Sequence, residues 1–238
     1  MAGAEQVERA LSRRQFIGAT AGLAGLVAGS ALGWPELATA ANTFPTTPVL
    51  DTFTRPNAPT LGPNWIGAQE GHKQLAIINE RAGRAPWDIG ADIWAPGGSI
   101  ARVGPDCEIY CTTSALALGT RMDITLYART QNSALANTVS GYLFQIFSSN
   151  HARLYCCVNG NSNPIPLTNW FYPKVSPGDK WGLSCVGSTI SAWHGPGGVW
   201  QTTPLASATD SRLPGAGGIM VSVGYECRIT GFGGGTKI

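Results

Sequence analysis

From Val49 onward, apolar residues recur at every second position in short stretches, each ended by Gly, Pro, Asn or Asp. That spacing puts alternate side chains on opposite faces of an extended strand, whereas a helix repeats its apolar positions three and four apart. No stretch past residue 48 holds a helical period, so this part of the chain is predicted to be all strand and turn. The clearest strand is predicted over 121–129. There Met122, Ile124, Leu126 and Ala128 would face a core, and Asp123, Thr125, Tyr127 and Arg129 would face water. Further strands are predicted over 75–79, 99–103, 107–114, 141–148, 152–158, 180–186, 189–194, 218–223 and 226–232, with hairpin connections at 148–151 and 187–188. About ten short strands without crossover helices pair antiparallel and close as a sandwich or barrel. No fixed-period repeat and no linker interrupts them, which predicts a single domain over 49–238.

Composition supports a packed domain and removes one class of partner. Apolar residues make up 43% of the chain and charged residues 13%, enough apolar material for a core and too few charges for a coiled coil. The net charge is only +2, without the basic excess that binding a phosphate backbone requires. Nucleic acid is therefore excluded as an expected partner.

Residues 1–40 have the layout of an export signal. Ser12-Arg13-Arg14-Gln15-Phe16-Ile17 carries a twin arginine, an uncharged Ala- and Gly-rich stretch runs to Trp34, and Ala38-Thr39-Ala40 offers a small-x-small cleavage site. The segment resembles twin-arginine signals, whose cargo crosses the membrane already folded. Cleavage after Ala40 is expected, leaving a Pro/Thr-rich lead-in over 41–48 and then the domain. It removes three residues of each charge sign, so the mature chain keeps a net charge of +2. Past Ala40 no apolar run reaches the length needed to span a bilayer, so no membrane association is expected after cleavage. The expected location is extracellular, periplasmic or on the cell surface.

Two sets of motifs match a known family. Asp51-x-Phe53-x-Arg55 followed by Leu61-Gly-Pro-Asn-Trp65 resembles the opening of concanavalin A-like, laminin-G-like jelly-roll domains of exported bacterial and phage proteins. Ser176-Pro-Gly-Asp179-Lys-Trp-Gly, Ala208-Thr-Asp210-Ser and Gly231-Phe-Gly-Gly-Gly235 resemble that family's second half in the same order, with Gly231 where an Asp is common. The resemblance implies an antiparallel two-sheet jelly roll. It also implies turn roles for Gly and Asp, an aromatic closing the core, and first and last strands side by side. It points toward carbohydrate or surface binding, although one such fold hosts lectins, hydrolases, lyases and inert spacers.

Six cysteines, Cys107, Cys111, Cys156, Cys157, Cys185 and Cys227, form an even set in a chain addressed to an oxidising compartment, so disulfides are expected. Cys107 and Cys111 lie about 13 Å apart on one extended strand, too far to bridge each other. Adjacent Cys156 and Cys157 should point to opposite faces. The expected pairs are Cys107 or Cys111 with Cys227, and Cys156 or Cys157 with Cys185; buried reduced thiols are the alternative. Zinc is not expected, because no paired C-x-x-C or Cys/His cluster is present.

Hydrolysis of a glycosidic bond needs two carboxylates flanking it. In the mature chain only Asp106 and Glu108 stand two apart, and they are the catalytic candidates. Phe144-Gln145-Ile146 resembles part of one lyase signature but lacks its His and Arg-x-Glu partners. His72, His151 and His194 are scattered and read as surface or hairpin residues, without a Ser nucleophile motif. Asp88 and Asp92 could offer oxygens to calcium, the one cofactor considered. For binding, sugars need flat rings and a few polar groups. Trp170, Phe171 and Tyr172, near Asn159, Asn161, Asn163 and Asn169, form such a group, and Trp170, Tyr172, Asn163 and Asn169 are the ligand candidates. Trp193 and Trp200, flanking Gly195-Pro-Gly-Gly198, read as a cross-strand pair, and Trp65, Trp87 and Trp94 as core.

These features lead to an expected non-catalytic module binding glycan or another extracellular surface. A structural or adhesive protein without a small ligand comes second, and a hydrolase or lyase third.

Overall fold

A computed structural model describes residues 43–67, 73–84, 88–115, 123–131, 139–147, 150–159, 164–224 and 227–238. All belong to the unit spanning 39–238; the predicted signal, His72, Trp87, Asn161 and Asn163 lie outside the described residues.

The strands are β1 Val49–Asp51, β2 Trp65–Gly67, β3 Ala76–Ile77, β4 Ala82–Gly83, β5 Ile89–Trp94, β6 Cys107–Ala115, β7 Asp123–Thr130, β8 Gly141–Phe147, β9 His151–Cys157, β10 Ile165–Pro166, β11 Lys180–Val186, β12 Thr189–Gly195, β13 Ala206–Thr209, β14 Gly218–Gly224 and β15 Arg228–Thr236. They form two sheets. One runs β13-β12-β11-β6-β15-β4-β3 with β1 added along β15; the other runs β10-β9-β8-β7-β14-β5-β2. Pairing between these strands is antiparallel, as in β6 with β11 and β7 with β8. The result is the expected two-sheet sandwich.

The core lies between the sheets. Ile124, Leu126 and Ala128 from β7, Tyr142, Phe144 and Ile146 from β8, and Ile219, Val221 and Val223 from β14 meet Ile109, Trp181, Leu183, Ile190 and Phe232 from the other sheet. Burying each Val, Leu, Ile or Phe among them contributes about 1.5–3 kcal/mol.

The family motifs hold the chain together at its turns. Val49 pairs with Gly233 and Asp51 with Phe232, so the first and last strands are neighbours, and Phe232 closes the core against Trp65. Gly231 takes φ 58° where the β15–β6 register slips, a backbone state that disfavours a side chain. Asp179 accepts from Ser176 N and Gly197 N, and Asp210 from the Tyr142 hydroxyl and Arg212.

Several expectations need correction. The 99–103 segment is not a strand; Val103 makes only an isolated bridge to Gly217. On β7 the predicted wet face is buried too. Thr125 and Tyr127 lie on it, and Tyr127 joins a second apolar cluster with Ile93, Leu143, Tyr155 and Met220. Arg129 takes φ 53°, and its fully buried guanidinium donates to the carbonyls of Pro105, Leu213 and Gly187. His194 is not at the surface but stacks on Trp181 at 4.0 Å, 3.3 Å from Asp179. Burial lowers its pKa, against the pull of Asp179.

The lead-in is part of the folded unit. Phe44 stacks on Trp193 at 4.8 Å and meets Trp200 edge-on at the same distance, so it is the wedge between the two predicted cross-strand rings. Gly182 makes room for it: a Cβ there would sit 2.2 Å from the Phe44 ring.

Candidate functional site

The sequence-predicted residues separate into those committed to the chain's own structure and those left at a surface. Glu108 is completely buried on the eight-stranded sheet. Its carboxylate accepts from Thr47 N at 2.7 Å, Thr47 Oγ1 at 2.8 Å and Lys237 Nζ at 2.9 Å. Burial alone would raise its pKa, but these bonds outweigh it and hold the pKa below the usual value. Asp106 turns elsewhere, accepting from Gly187 N at 2.8 Å and lying 3.8 Å from Arg129. The two carboxylates thus fasten the chain's ends and a hairpin, and do not face one another across a groove.

Asp88 and Asp92 also diverge. Asp88 is paired with Lys73 at 2.8 Å and Arg84 at 3.5 Å. Asp92 is registered opposite core residue Val221, accepts from Leu75 N at 2.6 Å, and has its pKa pushed up to about 7 by burial. A calcium site needs several converging oxygens, and this pair does not supply one. Among the described residues no group of three or more His, Cys, Asp or Glu could hold a metal.

The six cysteines are buried thiols. Cys156 faces the core and Cys157 the outer cluster, as adjacent strand positions require. Cys185 is registered opposite Cys107, within hydrogen-bonding contact, and not beside Cys156 or Cys157 as expected. Cys227 Sγ donates to the Ala115 carbonyl at the end of β6.

The aromatic group has the properties a binding surface needs. Residues 165–171 run beside β9: Pro166 is opposite Tyr155, and Ala152 and Phe171 exchange backbone hydrogen bonds at 2.8 and 3.1 Å. This edge segment turns Phe171 inward onto Phe144, ring centres 6.0 Å apart. Alternation then sends Trp170 outward, where it is 37% exposed, beside Tyr172 at 75% and exposed Asn169.

Register assembles further residues on the same outer face. Gln145 lies opposite Arg153 and Phe147 opposite His151. His151 stacks on Phe147 at 4.5 Å, and Trp170 meets His151 at 4.9 Å, Phe147 at 5.7 Å and Tyr155 at 6.2 Å, all edge-on. The Arg153 guanidinium lies over Trp170 at 5.0 Å and over Tyr155 at 5.5 Å. Its Nε donates to the Thr168 carbonyl at 2.8 Å. The row continues through Thr125 to Ser222. Sequence reasoning found Trp170 but missed Arg153, His151 and Phe147 as its neighbours. The signal was present: a short 148–150 connection forces Phe147 opposite His151, and every second residue inward then pairs on one face.

No protein-family model and no curated protein matches the sequence. Solved structures do resemble the fold. The calcium-bound exoplasmic/lumenal domain of VIP36 aligns with TM-score 0.55 at 10% identity, covering 80% of this chain and 90% of that one. Its calcium- and Man2-bound form gives TM-score 0.55 at 10% identity, covering 81% and 88%. The potassium-bound carbohydrate recognition domain of Emp46p gives TM-score 0.52 at 7% identity, covering 74% and 90%. At such identities the likeness is one of fold, and the chain shares with these domains the antiparallel two-sheet jelly roll.

Proposed function

We propose that the chain is exported by the twin-arginine route and that its mature domain, 49–238 with the lead-in over 41–48, is a non-catalytic module that binds glycan outside the cytoplasm. The observation that carries this reading is Trp170, an indole held half-exposed by Phe147, His151 and Arg153 at the edge of the seven-stranded sheet. A rigid, partly solvated ring stacks on the C–H face of a sugar at little entropic cost. Arg153, Gln145 and Asn169 stand beside it as polar groups that would orient the sugar. That solved structures of similar fold hold mannose-type ligands, as VIP36 does with Man2, adds to this reading. The carboxylates that hydrolysis would use are engaged by Thr46, Thr47, Lys237 and Gly187, which favours binding without bond cleavage.

The test is a polysaccharide pull-down with mature protein, with and without calcium, assaying the supernatant for released sugar. Retention without release, lost in Trp170→Ala and weakened in Tyr172→Ala, is the expected result. Released sugar would replace binding with catalysis. Absence of retention on every polymer would leave a structural or adhesive protein.

A further inference from the structure

We propose that the sugar bound at Trp170 is acidic, a uronate whose carboxylate docks on Arg153; this rests on the glycan-binding reading above. Arg153 is held in place before any ligand arrives. Two aromatic rings pack against its guanidinium, and its Nε is committed to the Thr168 carbonyl. That bond uses the Nε–H and fixes the plane of the guanidinium, and the edge formed by the two Nη groups is a separate one. A paired Nη edge is a planar two-donor fork that matches a carboxylate.

Among the described side chains none supplies this cation with a counter-charge. From residue 124 to residue 178 the chain contains no Asp or Glu, and β8, β9, β10 and the segment carrying Trp170 all lie within that span. The other ionisable groups facing this region are His151, stacked on Phe147, Tyr155, under Arg153 itself, and the exposed Tyr172 beside Trp170. The nearest acidic position in register is Asp123, paired with Phe147 on the next strand. Among the described residues no carboxylate pairs with Arg153. The other arginines with comparable fixation, Arg55, Arg129 and Arg212, have carboxylates of their own, Asp51, Asp106 and Asp210. A guanidinium stacked, oriented and lacking an acid is complementary to an anionic ligand. Placed 5.0 Å from the ring that would stack on the sugar, it suits a carboxylate attached to the pyranose, as in a uronate.

The experiment compares polygalacturonate and alginate with their carboxyl-reduced forms, using affinity gels and titration calorimetry on the mature protein. Wild type should bind the acidic polymers about 10-fold or more tightly than the reduced ones, as a charge-assisted pair implies. Arg153→Gln should abolish that preference, weakening binding to the acidic polymers at least 10-fold more than binding to the reduced ones. Arg153→Lys, which keeps the charge and loses the fork, should fall between them and guards against misfolding of the Gln variant. Trp170→Ala should weaken both classes. An unchanged preference in Arg153→Gln, equal affinity for acidic and reduced polymers in wild type, or equal retention of dextran sulfate would overturn the uronate assignment and leave glycan binding standing. Failure to bind any polymer would overturn both.

Discussion

The indole Nε1 of Trp65 donates to Asp51 Oδ2 at 2.8 Å, joining the first strand, in the eight-stranded sheet, to the second, in the seven-stranded one. Asp51 also accepts from Phe53 N at 2.7 Å and from both Arg55 Nη atoms, at 2.7 and 2.9 Å. The motif that looks like a family signature in sequence is this one carboxylate with its donors. Burial by itself would raise the Asp51 pKa, but the four donors outweigh it and lower the pKa below 3.8. Trp65→Phe keeps the ring and removes one charge-assisted bond, so it should cost about 1.5–3 kcal/mol in denaturant unfolding. A folded pKa below the unfolded one gives stabilisation that is present above about pH 4 and is lost as pH falls through the folded value. Asp51→Asn should therefore lower stability at pH 7 and narrow its gap from wild type at pH 2–3. An equal gap at both pH values would refute the assignment.

Asp92 carries the opposite sign. Its folded pKa, about 7, stands above the ordinary 3.8 because the core disfavours its charge. Below pH 4 the group is neutral in both states and costs nothing. Between about pH 4 and 7 the unfolded chain ionises while the folded one does not, so stability declines as pH rises, and the loss is complete above 7. Asp92→Asn keeps an acceptor for Leu75 N without the titration. It should raise the melting temperature at pH 8 and leave it little changed at pH 4, with about 4 kcal/mol as the ceiling on the gain. Melting curves at the two pH values check this, and a variant no more stable at pH 8 than at pH 4, relative to wild type, would be the contrary result.

The two aspartates also mark what could be read from the sequence. Asp51 sits in a local pattern of fifteen residues whose partners lie within it, so its role was legible. Asp92 lies in Ile89-Gly-Ala-Asp-Ile-Trp94, where Gly and Asp break the apolar alternation, and β5 went unrecognised. Strands of two or three residues such as β2, β3, β4 and β10 are too short to show any period. The wet face assigned to β7 failed for a different reason. Alternation tells which residues share a face, but not what covers that face, and Tyr127 is buried on it. The grouping of Trp170, Arg153 and Gln145 depends on the register of three separate segments, which no local pattern records.

Phe44 should be worth more than its position in a Pro/Thr-rich lead-in suggests. It stacks on Trp193 and lies over Gly182, while Thr46 and Thr47 next to it bind the buried Glu108. Phe44→Ala should destabilise the mature protein by about 2–4 kcal/mol, somewhat below a central core truncation because the site is on an outer face. Gly182→Ala should act through the same contact by pushing the ring out, so the double variant should cost little more than the worse single one. Additive costs in a double-mutant cycle would show that the two positions act separately.

The Cys107 and Cys185 thiols are directly opposed on antiparallel β6 and β11, where Cα atoms stand about 4.5–5.5 Å apart, inside the span a disulfide accepts. The hydrogen bond from Cys185, with the Arg129 guanidinium close by, lowers the Cys107 pKa, while burial raises that of Cys185. In an oxidising compartment a disulfide-bearing exchange partner would take the two electrons, the two thiols would lose two protons, and one S–S bond would join strands separated by 78 residues of chain. A loop of that length corresponds to about 4 kcal/mol of stabilisation. Non-reducing peptide mapping of the protein purified under oxidising conditions should find a Cys107–Cys185 peptide, and Cys185→Ser should lower the melting temperature under oxidising conditions more than under reducing ones. Six free thiols in that oxidised protein, or a link from Cys185 to Cys156 or Cys157, would contradict the pairing that the β6–β11 register favours.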